Sequence, residues 1–122
     1  MPYDDQNIFA KILRGEIPCN KVYEDDFALA FHDINPLAPC HVLVIPKGAY
    51  VSLDDFSDKA TDAEIAGFIR AVGHVAREQG VHESGYRILA NHGRDAHQEV
   101  PHLHIHIFGK RDMKGMLAKA PA

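Results

Sequence analysis

Apolar residues recur at helical spacing near the start of the chain. Ile8, Phe9, Ile12 and Leu13 share one face behind Asn7, and Gly15 with Pro18 ends the run, which predicts a short helix over residues 8–14. The pattern then shortens. Residues 21–24 and 27–33 are rich in aromatic and apolar side chains and are divided by Asp25-Asp26, which reads as a hairpin. The stretch Asn35-Pro36-Leu37-Ala38-Pro39 cannot continue a ladder, because a proline has no amide to donate, so a loop should precede a strand at 41–45. Thr61-Asp62-Ala63-Glu64 has the form of a capping box, in which hydroxyl and carboxylate satisfy otherwise orphan amides. It opens the longest helical period of the chain, with Ile65, Phe68, Ile69, Val72 and Val75 as its stripe and Gly80 as its stop. Two further strands, 86–90 and 103–108, flank a loop over 91–101. The expectation is an α+β fold with two helices and an antiparallel sheet of about five strands.

Composition narrows the possibilities without changing this picture. A chain of 122 residues suits one domain, with a core over about residues 5–110 and a tail over 111–122. With 46% hydrophobic and 25% charged residues it has the make-up of an ordinary folded protein. A net charge of -4 argues against broad binding to nucleic acid or to anionic membranes, so any phosphate must be held locally. No apolar run approaches the roughly 20 residues of a membrane span, and the opening residues lead into no signal core, so a cytoplasmic location is expected. Cys19 and Cys40 lack the Cys-x-x-Cys spacing of a zinc finger and are read as free thiols.

The chemistry is concentrated in His102-Leu103-His104-Ile105-His106-Ile107-Phe108. Side chains alternate along a strand, so the three imidazoles should stand in a row on one face while Leu103, Ile105 and Ile107 enter the core. Three polar rings side by side serve solubility poorly and serve chemistry well. One use is metal binding, with His41, His92, His97 or Glu99 as a further ligand. The other is nucleophilic catalysis, in which one ring attacks phosphorus while its neighbours orient it, hold the anion or protonate the leaving group.

The same segment resembles the His-φ-His-φ-His-φ-φ signature of the histidine-triad superfamily, where φ is apolar. Ile8-Phe9-Ala10-Lys11-Ile12, Phe31-His32-Asp33-Ile34-Asn35-Pro36, His41-Val42-Leu43-Val44-Ile45-Pro46-Lys47, and Gly85-Tyr86-Arg87 through Asn91 are similar in order and spacing to its Hint branch. The likeness covers about residues 5–110, so it is more specific than the triad alone.

That resemblance implies roles. The middle histidine, His104, attacks the α-phosphate of a nucleotide and forms a covalent nucleotidyl-histidine that water cleaves. His106 contacts the phosphate oxygens, His102 fixes the geometry of the reactive ring, and His41 joins the hydrogen-bond chain around it. Asp33 accepts from the ribose hydroxyls, a task suited to a carboxylate with two oxygens. Ile8, Phe9, Ile12, Phe31, His32 and Ile34 form the cleft around the base, and Asn91, Gln98 and Glu99 lie on the phosphate side. The implied reaction is cleavage of the P–N bond of purine nucleoside 5′-phosphoramidates, with no metal and no cofactor, by a homodimer whose sheets join across a two-fold axis. The alternatives are dinucleoside polyphosphate hydrolysis within the same superfamily and a nucleotide-binding regulatory protein with little turnover.

The chain departs from the family pattern at several places. Glu99 stands where many Hint proteins carry a small hydroxyl residue, and a carboxylate there repels phosphate unless protonated or turned away. Asn7 and Ala10 occupy positions where some members hold zinc through cysteines, and no histidine follows Lys47 in Lys47-Gly48-Ala49-Tyr50. Structural zinc is therefore not expected.

Overall fold

The computed structural model describes residues 2–117. Helix α1 (Ile8–Leu13) comes first, followed by β1 (Lys21–Glu24), β2 (Ala28–His32) and β3 (Cys40–Pro46). Helices α2 (Leu53–Lys59) and α3 (Asp62–Glu78) come next, and β4 (Tyr86–Leu89) and β5 (Ile105–Gly109) complete the order. The five strands form one antiparallel sheet in the order β1-β2-β3-β5-β4. The expected α+β architecture is the observed one, with one helix more than the pattern announced.

Strand β3 lies at the centre and is buried along its whole length, which explains its unbroken Val42-Leu43-Val44-Ile45 run. Alternation divides its neighbours into two clusters. Ala28, Ala30, Val42, Val44, Leu103, Ile105 and Ile107 meet Phe68, Val72 and Val75 of α3 on one face. Leu29, Phe31, Leu43 and Ile45 meet Phe9 of α1 on the other. The α3 stripe runs as expected except at Ile69, which is exposed. Thr61 and Glu64 form the expected capping box.

Helix α2 was outside the sequence expectation because only Leu53 and Phe56 carry its apolar signal. It is set instead by a second capping box, in which Ser52 and Asp55 satisfy each other's backbone amides. Phe56 is buried between Tyr50 and Phe68, with ring centroids 5.1 and 5.3 Å away.

The strand expected at 103–108 begins two residues later, at Ile105. The pairing Val44↔Ile105 places Leu103 opposite Pro46, which has no amide, so the ladder stops there. The Leu103 amide donates to the Tyr50 carbonyl instead, at 2.8 Å. Of the three histidines only His106 lies in the strand; His102 and His104 precede it. The alternation persists all the same, with Leu103 in the α3 cluster and the imidazoles on the α1 side.

Candidate functional site

The site occupies the α1 face of the sheet. Asn7 caps α1 by accepting from the Ala10 amide at 2.9 Å, and this fixes the helix that carries Phe9. The Phe9 ring stands edge-on to His104 at 5.0 Å and to Phe31 at 5.5 Å, so the first helix closes over the triad and over β2 together.

Hydrogen bonds assign each ring its tautomer. His104 Nδ1 lies 2.7 Å from the carbonyl oxygen of His102. A carbonyl only accepts, so Nδ1 carries the proton and Nε2 keeps its lone pair. His102 Nε2 lies 2.9 Å from the Pro46 carbonyl and donates to it, while its Nδ1 lies 2.6 Å from the Tyr3 hydroxyl. His41 Nδ1 accepts from the Leu37 amide at 3.1 Å, which places the His41 proton on Nε2. That proton faces His106 Nδ1 at 2.9 Å, so His106 carries its own proton on Nε2. The arrangement sets a lone pair on His104 beside an N–H on His106, with ring centroids 5.0 Å apart.

Burial keeps these rings neutral. His102 is pushed down to about 4 chiefly because it is buried, with the neighbouring His104 adding to the effect. His106 also falls to about 4, through burial and through the proximity of His104 and His41. Burial lowers His104 too, against an upward pull from its bond to the His102 carbonyl and from the carboxylates of Asp33 and Glu99. His41 is lowered by burial and raised by Asp33, whose Oδ2 lies 3.5 Å from His41 Nε2. A neutral imidazole with a free Nε2 is a nucleophile at neutral pH, and a neighbouring N–H can hold an anionic oxygen or give a proton to a departing group.

The other expected residues are only partly brought together. Phe9 and Phe31 are buried in the cluster beneath the triad, and Ile12 packs against it. Ile8 is exposed at the start of α1, and Ile34 is 88% exposed in the loop after β2. His32 is also exposed, and alternation along β2 turns it to the face opposite Phe31, so the structure does not bring its side chain into the site. Asn91 is half-buried in the loop before the triad. Gln98 is a brace: its amide donates to the carbonyls of Val51 and Val100 at 2.7 and 3.1 Å and its oxygen accepts from Gly93 at 3.1 Å. Glu99 is exposed beside it. Ser52, buried as the cap of α2, holds the same loop through a 2.6 Å bond to His92.

A metal-binding reading of the triad meets a different geometry. His102 has both nitrogens engaged, and His92 is held by Ser52. Among the described residues, Asp33, His41 and His106 form the group whose ligand atoms come within 4.8 Å of one another, but there too both His41 nitrogens are engaged, by the Leu37 amide and by His106. Sequence reasoning missed Tyr3, the Leu37 amide and the Pro46 carbonyl. Two are backbone groups, which leave no trace in residue type, and Tyr3 lies 99 positions from its partner.

The model of the HIT domain matches residues 14–113. The chain is 68% identical over 117 residues to an uncharacterized 13.2 kDa HIT-like protein of Azospirillum brasilense, covering 96% of each. It is 40% identical over 114 residues to the purine nucleoside phosphoramidase of Escherichia coli, covering 93% of this chain and 95% of that one. Among solved structures, a HIT family hydrolase from Clostridium thermocellum superposes with a TM-score of 0.85 at 36% identity, over 94% of this chain and 99% of that one. A histidine triad protein from Clostridium difficile does so with 0.80 at 43% identity, over 94% and 98%. No helix among the described residues is long and apolar enough to cross a membrane.

Proposed function

Because the chain belongs to the HIT domain family and is similar to its hydrolases, we propose that it cleaves the P–N bond of purine nucleoside 5′-phosphoramidates through a nucleotidyl-histidine on His104. The observation that carries this reading is the 2.7 Å bond from His104 Nδ1 to the His102 carbonyl, which leaves Nε2 as the free lone pair. Attack by Nε2 forms a new N–P bond to His104 as the substrate's P–N bond breaks, and the departing nitrogen takes a proton from water to leave as the neutral amine. The Nε2 proton of His106 is placed to steady a phosphate oxygen, and His41 holds that ring in the donating tautomer. Water then forms a P–O bond as the His104–phosphorus bond breaks, giving its proton back to solvent, and His104 returns as a neutral ring.

In the same reading Asp33 receives the ribose hydroxyls, and Phe9, Phe31 and Ile12 offer the base an apolar bed with Ile8 and Ile34 at its rim. Asn91, Gln98 and Glu99 belong to the loop on the phosphate side. No metal takes part in these steps. Similarity to the Escherichia coli phosphoramidase favours an amine leaving group over a second nucleotide. Two copies are proposed to pair through β4, an edge strand that leaves Tyr86, Ile88 and Leu89 exposed.

The test is hydrolysis of adenosine 5′-monophosphoramidate by the wild type and by His104→Ala, with a chelator present throughout. Turnover by the wild type and a loss of at least about a thousandfold in the variant are expected of a nucleophile. If neither protein turned over the substrate while both bound AMP, the chain would be a nucleotide-binding protein. Faster cleavage of a dinucleoside polyphosphate than of the phosphoramidate would move it to the other hydrolase activity.

A further inference from the structure

The segment before α1 is tied down at several points. The Asn7 side chain donates to the Asp4 carbonyl at 2.7 Å while capping the helix, and Arg14, at the far end of α1, donates to the Asp5 carbonyl at 2.8 Å. These ties hold the segment against α1, and Tyr3 stands with its ring edge-on to His102 at a centroid distance of 5.6 Å. The Tyr3 hydroxyl meets His102 Nδ1 at 2.6 Å.

Its direction follows from the other side of the ring. His102 Nε2 must donate to the Pro46 carbonyl, so in a neutral imidazole Nδ1 has no proton and accepts from Tyr3. His102 is fully buried, so that lone pair would have no solvent partner without the phenol. The backbone carbonyl of this same residue holds His104 Nδ1. That peptide unit is also held by the Leu103 amide on the Tyr50 carbonyl at 2.8 Å, so a His102 ring anchored at both nitrogens adds a second restraint on the residue whose carbonyl aims the His104 lone pair.

We propose that Tyr3 is a positioning residue for the reaction: by donating to His102 Nδ1 it locks that ring between two hydrogen bonds and thereby fixes the carbonyl that orients His104. The proposal rests on His104 being the nucleophile, but the locked state of His102 exists whether or not the reaction does. Tyr3 touches neither nucleotide nor phosphorus in this role; it acts through His102.

Two measurements test it. Tyr3→Phe keeps the ring and removes only the hydroxyl, so kcat on adenosine 5′-monophosphoramidate should fall about tenfold while KM stays within about twofold, the split expected when aim is lost and binding is kept. Unchanged kcat, or a rise in KM alone, would overturn the proposal. Nitrogen NMR of ¹⁵N-histidine-labelled wild type reads the tautomer directly and needs no variant that folds. His102 protonated on Nε2 with Nδ1 as a hydrogen-bonded acceptor is expected, and a proton on Nδ1 would contradict the proposal. A wild type that failed to turn over the phosphoramidate would remove the hydrolase reading and leave the NMR result to stand or fall by itself.

Discussion

The two faces of the sheet are built from the same strands and answer to different demands. On the α3 face Val42, Val44, Ile107, Phe68 and Val75 pack apolar surface against apolar surface, and burial alone accounts for their placing. On the α1 face the same alternation delivers His41, His104 and His106 beside Phe9 and Phe31, and burial there costs free energy unless each ring nitrogen finds a partner. Backbone groups hold His41, His102 and His104, through the Leu37 amide and the carbonyls of Pro46 and His102, and His41 in turn holds His106, while His104 Nε2 keeps its lone pair free. No buried side-chain nitrogen or oxygen among the described residues is left without a partner. One face therefore stores stability, and the other uses some of it to hold neutral imidazoles in chosen tautomers.

The sharpest way to break this contrast is to damage each face alone. Ile107→Ala, at a fully buried position of the α3 cluster, should destabilise the fold by about 2–5 kcal/mol in a denaturant titration. The activity of its folded fraction should be kept, whereas His104→Ala should do the reverse. Acid should then weaken the α1 face selectively. The unfolded chain binds a proton on histidine near pH 6.5, but folded His102 does so only near 4. Stability is therefore full above about 6.5 and falls as the pH drops toward 4, by on the order of 3 kcal/mol from His102. His106 acts in the same direction. Denaturant midpoints across this range should show the loss, and replacing His102 with a residue that cannot titrate should flatten it. The smallest effect is expected between the faces: Ser52→Ala removes the α2 cap and should cost about 1 kcal/mol. It should also loosen His92 and its loop, which amide exchange would report.

Much of this was legible in the sequence, for a physical reason. Long periodic runs such as the α3 stripe, and the alternation through Leu103, Ile105 and Ile107, report burial directly, so the sheet and its main helix could be read from residue type. The gathering of His104 and His106 on one face was legible from the alternating histidines, whereas His41 entered only through the family resemblance, since a histidine opening an apolar strand is more often a core-edge residue. Helix α2 was hidden because its cap uses Asp55 where a glutamate or glutamine is the usual sign. The true start of β5 was hidden because it depends on which residue Pro46 faces. His32 was drawn into the predicted site by its neighbours Phe31 and Asp33, although strand alternation already placed it on the other face.

In the proposed reaction His104 Nε2 becomes bonded to phosphorus. The most direct measurement is intact-protein mass spectrometry after mixing the wild type with adenosine 5′-monophosphoramidate and quenching in alkaline denaturant, where a phosphorus–imidazole bond survives. A protein species heavier by one adenylyl group, mapped by peptide analysis to His104 and missing from His104→Ala, is the predicted result. Adenylyl-free protein throughout turnover that the His104→Ala variant sustains equally well would contradict it.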